Sequence, residues 1–304
     1  MSNDVQSMSI HEEAVRHARA AMKSGDLSWK HVRSEFTQDV PTVLATLQTG
    51  GPYTWTLPNN GFIPGDDALQ YFSATTFEQI QATYENMRNY VQVWDWVATT
   101  EIRSGWYTIT HGVSRLRDVL KDEYLELESI TMFPTGTDGI LGEVQIGDLG
   151  VARENRWPEV PSQPGEVPLP RKRLEVLELH NTLLDGIREA DVDKVLSPMR
   201  ADVATAIRNY LGDDYTVLNA KGSDELADYY RSLFERFKIV NIDIVNRVAE
   251  SWFLFAEVHW TVEHRSGSRA GEVVEFCTAD LAPIDPDGKF WVRTGAGTDP
   301  LPVG

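Results

Sequence analysis

Cysteine is almost missing from this chain: Cys277 is the single one in 304 residues. That excludes an internal disulfide and a cysteine-built metal cluster. Positive charge is also scarce. Lys and Arg number 28 against 46 Asp and Glu, a formal net charge of −18 at pH 7. Phosphate backbones and anionic membrane surfaces select clustered basic side chains, so no nucleic acid and no membrane are expected as partners. No apolar run approaches the roughly 18 residues of a spanning helix. The stretch Met1–Gln6 is polar and lacks the apolar core of a secretory leader. A reducing, cytoplasmic setting is expected, with the protein a monomer or a small homo-oligomer. The signatures GxSxG, Walker A, GxGxxG after a strand and HExxH do not occur. DPDGK (285–289) opens like a calcium loop but lacks the later acidic ligands, and reads as a hairpin turn. No metal site and no cofactor are expected.

What is present in excess is aromatic: 9 Trp, 10 Tyr and 11 Phe. Such a content fills two cores or lines pockets. The length suits two domains, and the chain repeats itself. A shift of 163 sets His17 on His180 and DVPTVLATL (39–47) on DVATAIRNY (202–210). A shift of 146 sets Tyr84 on Tyr230 and RSGWYTITH (103–111) on AESWFLFAE (249–257), with Trp106 on Trp252. A shift of 149 sets Glu126 on Glu275. The difference, 163 − 146 = 17, implies an insertion near 50–70 in the first half, where PYTWTLPNNGFIPGDD is rich in turn formers. WPEVPSQPGEVPLP (157–170) carries five prolines and reads as an extended connector. The expected organisation is one domain over 8–150, a linker over 151–170 and a second domain over 171–299.

The second half is the clearer one. Leu174, Leu177, Asn181, Leu184 and Ile187 recur at helical spacing. Asp191 is placed to cap a short second helix, and Ser223 a third running to Phe237. Four strands follow, over 239–248, 251–265, 272–284 and 289–297. Helices first and strands after define an α+β class. In SWFLFAEVHW (251–260) both faces are mostly apolar, so the sheet is expected to be covered on both sides. One cover would be the helices and the other the partner copy's sheet, an intramolecular pseudo-dimer.

LELHNTLLDGIREADVDKVLSPMRADV (177–203), SDELADYYRSLFERF (223–237) and ESWFLFAEVHWTV (250–262) together resemble the NTF2-like, or SnoaL-like, superfamily. The likeness spans nearly all of the second half and extends to the first through the repeat. It implies two cone-shaped domains, each with three helices on a curved antiparallel sheet. Members include ketosteroid isomerase, scytalone dehydratase, limonene epoxide hydrolase, polyketide cyclases, lyases of lignin-derived aromatics, and non-catalytic binding domains. The chemistry so implied is acid/base work in a dry cone, with no metal and no cofactor.

His111 and Glu257 fall on one strand position in the two copies (111 + 146 = 257), among aromatics. Burial there would tune either as a general acid or base; a structural pair is the plainer reading. His259 lies two residues beyond Glu257, as an orienting partner or a second structural group. Asp95 interrupts VQVWDWVA (91–98) as a buried base or as a charge guarding an edge strand. Tyr53 and Trp55 in the insertion, with Tyr84, Trp106, His180 and Tyr230, are candidates for lining a substrate. The expected activity is a cofactor-independent elimination, with a small, apolar, aromatic-type molecule as the partner. Isomerisation, cyclisation, epoxide opening or ligand binding without turnover are the alternatives.

Overall fold

The computed structural model describes residues 10–51, 53–58, 71–147, 171–208, 217–285 and 287–303. The proline-rich linker and most of the aromatic insertion, Phe62 included, lie outside the described residues. The chain divides into two compact units, one built mainly from residues up to Gln145 and the other mainly from Ile146 onward.

In the first unit a long helix α1 (Ile10–Phe36) leads into a short α2 (Val40–Leu44). Asp39 starts α2 by accepting from the Thr42 amide, and Pro41 occupies a first-turn position where no amide partner is lost. Strands β1 (Thr54–Pro58) and β2 (Tyr71–Ala74) precede α3 (Phe77–Met87). Thr76 and Gln79 cap α3 reciprocally, each side chain bonding the other's backbone. Four longer strands complete the unit: β3 (Val91–Arg103), β4 (Tyr107–Asp118), β5 (Glu123–Pro134) and β6 (Gly142–Gly147). The sheet order is β2-β1-β6-β5-β4-β3.

The second unit repeats this element for element. Helices α4 (Arg171–Glu189) and α5 (Val192–Leu196) are followed by β7 (Met199–Arg208), β8 (Val217–Lys221) and α6 (Gly222–Arg236). Then come β9 (Phe237–Ala249), β10 (Phe253–His264), β11 (Val273–Pro283) and β12 (Phe290–Gly297). The order β8-β7-β12-β11-β10-β9 is that of the first sheet, strand for strand. The expected α+β class holds, with two strands ahead of the third helix in each unit where only helices were expected before the sheet. Both faces of β10 are buried through its first half, as its apolar pattern predicts.

Two expectations need correction. Asp202 does not match Asp39: it lies on strand β7, whereas Asp39 caps a helix. Asp191 is the matching cap, a shift of 191 − 39 = 152. The residues just before these caps, Gln38 (φ 54°) and Ala190 (φ 55°), are both left-handed. His17 is therefore no counterpart of His180, and the excess in the first copy shrinks to 152 − 146 = 6 residues. Lys221 rather than Ser223 sits at the cap of α6. The shifts of 146 and 149 hold: Arg115 pairs with Glu126 on adjacent strands, as Thr261 pairs with Glu275.

Each core lies between the helices and the sheet. In the second unit Leu183, Leu184, Tyr230, Leu233 and Phe234 from α4 and α6 pack on Leu254, Ala256, Val258, Trp260 and Val262 of β10. These alternate residues define the helix-facing side of β10. In β4 the helix-facing side is marked by Thr108, whose hydroxyl is 2.9 Å from that of Ser24 on α1.

Candidate functional site

The alternation of a strand decides where the predicted acid/base residues point. Thr108, Thr110 and Gly112 share the helix-facing side of β4, so His111 faces the opposite side. Its Nε2 is 2.9 Å from Glu128 Oε1 on β5. Glu257 and His259 likewise alternate with Val258 and Trp260 and leave the helix side of β10. Glu257, 5% exposed, accepts from Asn246 Nδ2 at 2.7 Å. His259 stands 3.9 Å from Asp243 and 3.8 Å from Glu275 on the flanking strands. Asp95 lies on the edge strand β3, half exposed, and accepts from Arg115 Nη1 at 2.9 Å. It is a paired edge charge and no buried base. None of these four residues lies in the space between helices and sheet where a cone would bind a molecule.

The residues expected to line a substrate divide differently. Trp106 stacks edge-on against Tyr107, centroids 5.0 Å apart. Tyr53 is buried beside the chain turn at Gln48. Trp55, Tyr84, His180 and Tyr230 are all buried within the cones, and two of them lead to groups that sequence reasoning missed.

In the first copy Tyr84, from α3, is the hub of a buried polar cluster. Its hydroxyl lies 2.6 Å from Glu143 Oε2 on β6, 2.8 Å from Glu35 Oε1 on α1 and 2.9 Å from His31 Nε2 on α1. His31 is fully buried and Glu143 nearly so, while the Glu35 carboxylate is 11% exposed. The walls are aromatic: the His31 ring lies 5.4 Å from Phe133 and 5.7 Å from Trp55. The helix spacing makes this possible, since His31 and Glu35 are i and i+4 on one face of α1.

Hydrogen-bond counting fixes the protons. Thr46 Oγ1 donates its one hydrogen to Val43 O at 2.6 Å. It must therefore accept from His31 Nδ1, also at 2.6 Å, so Nδ1 carries a hydrogen and Nε2 faces Tyr84. The phenol has one hydrogen for three close neighbours. The other two contacts need donors, which an imidazolium Nε2–H and one protonated carboxyl of the Glu35–Glu143 pair supply. The electrostatics agree. Burial alone would depress His31, but the Glu143 and Glu35 carboxylates outweigh it and raise the imidazole to about 9. Glu35 is raised by burial and by the neighbouring charge of Glu143. Burial also pushes the Tyr84 phenol well up, with both carboxylates adding to it. The result is an imidazolium, one carboxylate, one carboxylic acid and a phenol in contact.

Two more polar groups belong to this cone. The Trp55 indole N–H and the Thr131 hydroxyl are buried with no protein partner among the described residues. A cavity of about 30 Å³ lined by Glu35, Tyr84, Val40 and Arg88 abuts the cluster. Val40 and Arg88 also line an open groove of about 1210 Å³ that includes Tyr53, Leu44 and Phe77.

The second copy keeps the tyrosine and inverts the charge. Ile140 and Phe290 make matching bridges, a shift of 150, so Glu143 corresponds to Arg293 (143 + 150). Arg293 donates to Tyr230 Oη at 3.0 Å and to Asp280 Oδ2 at 2.8 Å, all buried. Leu183 and Ile187 stand where the first copy has His31 and Glu35 (31 + 152 and 35 + 152). His180 is 3.5 Å from Arg247 Nη1 and, chiefly through burial, is lowered to about 4.

His31, Glu35 and Glu143 also form a group able to hold a metal ion, their ligand atoms all within 4.8 Å of one another. The sequence reading, which looked to cysteine and HExxH, expected no such set.

No family model and no curated protein matches the chain. Solved structures similar to part of it include an M. tuberculosis LEH-like epoxide hydrolase, 15% identical, covering 42% of this chain and 85% of that one at a TM-score of 0.34. A ketosteroid isomerase-like protein from Erwinia carotovora atroseptica is 17% identical, covering 43% and 98% at a TM-score of 0.35. A candidate polyketide cyclase from Xanthomonas campestris is 14% identical, covering 41% and 91% at 0.34. No helix among the described residues is long and apolar enough to cross a membrane.

Proposed function

We propose that the first copy is the working one, and that it moves protons on a small, largely apolar molecule without an organic cofactor. The reaction would be an elimination, or an isomerisation or cyclisation that starts with the same proton abstraction. The observation that carries this reading is the contact of His31, Glu35, Glu143 and Tyr84 through one phenolic oxygen in a nearly dry, aromatic-walled space. Glu143, as the carboxylate, would take the proton. Tyr84 passes charge between it and the acidic partners, His31 and Glu35. A pair of titratable groups driven to opposite protonation states by burial and by each other is what acid/base catalysis needs near neutral pH. The unpartnered Trp55 N–H and Thr131 hydroxyl supply donors for a developing oxyanion. Aromatic walls suit an aromatic or polycyclic substrate, entering from the groove beside α2 and α3.

The test is a turnover screen over aromatic and polycyclic ketones, secondary alcohols and epoxides. On any active substrate, Glu143→Gln should cost about 10²–10⁴-fold in kcat/KM, while His111→Ala and Glu257→Ala leave most of it. Loss in the latter two with Glu143→Gln unaffected would return the chemistry to the opposite sheet face.

A second reading, a ligand-binding or scaffold protein without turnover, is favoured by the size of the cavity at the cluster. About 30 Å³ holds one water, against roughly 300 Å³ or more for a typical small-molecule site.

A further inference from the structure

We propose that His31, Glu35 and Glu143 form a binding site for a divalent transition cation of the zinc class, with Tyr84 at its fourth corner. The geometry carries it. His31 Nε2 is 3.6 Å from Glu35 Oε1 and 3.6 Å from Glu143 Oε2. Ligand atoms bonded at about 2.1 Å in a tetrahedron stand about 3.4 Å apart; these two spacings already match that, and all three ligand atoms lie within 4.8 Å of one another. The donor set is one imidazole and two carboxylates, which suits zinc, manganese or iron(II) and leaves no net charge excess beside a dication. Magnesium is less well served, because it keeps several waters and the space beside the cluster takes only one.

The support around the ligands is also that of a metal centre. A ligating imidazole is oriented by what its other nitrogen donates to. Here Nδ1–H is held by Thr46 Oγ1 at 2.6 Å, itself anchored on Val43 O, so Nε2 is the nitrogen that faces Tyr84 and the carboxylates and would give up its proton to the solvent on binding an ion. Tyr84 Oη reaches all three ligands at 2.6–2.9 Å, closer than a fellow ligand would, so it withdraws slightly on binding. The water-sized cavity lined by Glu35 and Tyr84 gives the ion a way in. Three different elements, α1, α3 and β6, converge on this point, and the second copy, with Leu183, Ile187 and Arg293 in these places, has none of the ligands.

This site shares residues with the acid/base reading but does not rest on it. An ion there would occupy the imidazole lone pair and both carboxylates, so the two states exclude one another and excess zinc would inhibit turnover.

The experiment uses the full, untagged chain after chelator treatment, titrated calorimetrically with zinc chloride. No substrate is involved, so failure of the proposed reaction leaves the outcome readable. The wild type should take up one ion per chain. Glu143→Gln and Glu35→Gln, near-isosteric changes checked for folding by circular dichroism, should each weaken binding at least tenfold. Cobalt(II) added instead of zinc should give the visible absorption of a four-coordinate site, lost in His31→Gln. The proposal is overturned if the wild type takes up no zinc, or if the variants bind as the wild type does, which would place the ion on the acidic surface.

Discussion

Glu143 and Arg293 hold the same strand position in the two copies, and each bonds the buried tyrosine of its own third helix. Tyr84 meets the carboxylate at 2.6 Å, and Tyr230 meets the guanidinium at 3.0 Å. A duplicated frame has thus kept its hydrogen-bonding hub and reversed the charge beside it.

Removing Arg293 should unfold the second unit rather than alter any activity. Asp280 is 6% exposed and Arg293 3%, so Arg293→Met leaves a buried carboxylate without its cation. The expected loss is about 3–5 kcal/mol, read as a lower urea midpoint at unchanged m value. Asp280→Asn combined with Arg293→Met should recover part of it.

The two buried histidines should give stability opposite slopes with pH. His31 is raised to about 9 in the fold against an ordinary value near 6.5. Its contribution is complete below about pH 6.5 and is lost as pH climbs through 9, because the folded state holds the extra proton. His180 is lowered to about 4, so the unfolded chain binds the proton first. Its contribution is complete above about pH 6.5 and is lost as pH falls towards 4. Thermal melts of chelator-treated protein between pH 4 and pH 10 should peak between these limbs. His31→Gln should flatten the alkaline limb, and His180→Gln the acid one.

Cys277 should be a poor nucleophile in the native state. Burial pushes its thiol up to about 11, with Glu257 and Glu275 adding to it. Alkylation by iodoacetamide at pH 8 should be at least tenfold slower than in urea. Equal rates would mean that the β11 backbone around it opens readily.

Gly112 should not tolerate a side chain. A Cβ there would lie 2.1 Å from Val97 O and 2.9 Å from Trp96 Nε1 on the neighbouring strand. Gly112→Ala is expected to cost about 1–3 kcal/mol through strain between β3 and β4. Val258 occupies the matching place on β10, so Val258→Gly should be destabilising for the opposite reason, a cavity in the second core.

Much of the frame is legible in the residues because periodicity reports burial. The limits of the last four long strands of the second copy and the Asp191 cap follow from it, whereas β7 and β8 are not read there. The first-helix alignment went astray because DV recurs at 39–40 and 202–203 on elements of different type, a helix cap and a strand. The working cluster was hidden for a different reason. Glu143 lies more than a hundred residues beyond His31 and Glu35, and only the strand order that seats β6 between β1 and β5 joins them. His31 and Glu35 at i and i+4 were the available signal, and the shift of 152 would have shown that the second copy lacks both.

Gln38 and Ala190 end the first helix of each copy in a left-handed conformation that a side chain disfavours by about 1–2 kcal/mol. Both positions precede the cap of the next helix, and both side chains are exposed. Glycine at either place would relieve the helix end at the smaller cost of a looser unfolded chain. The joints between the opening helices thus offer a pair of independent handles for making the protein hardier while its interior is left untouched.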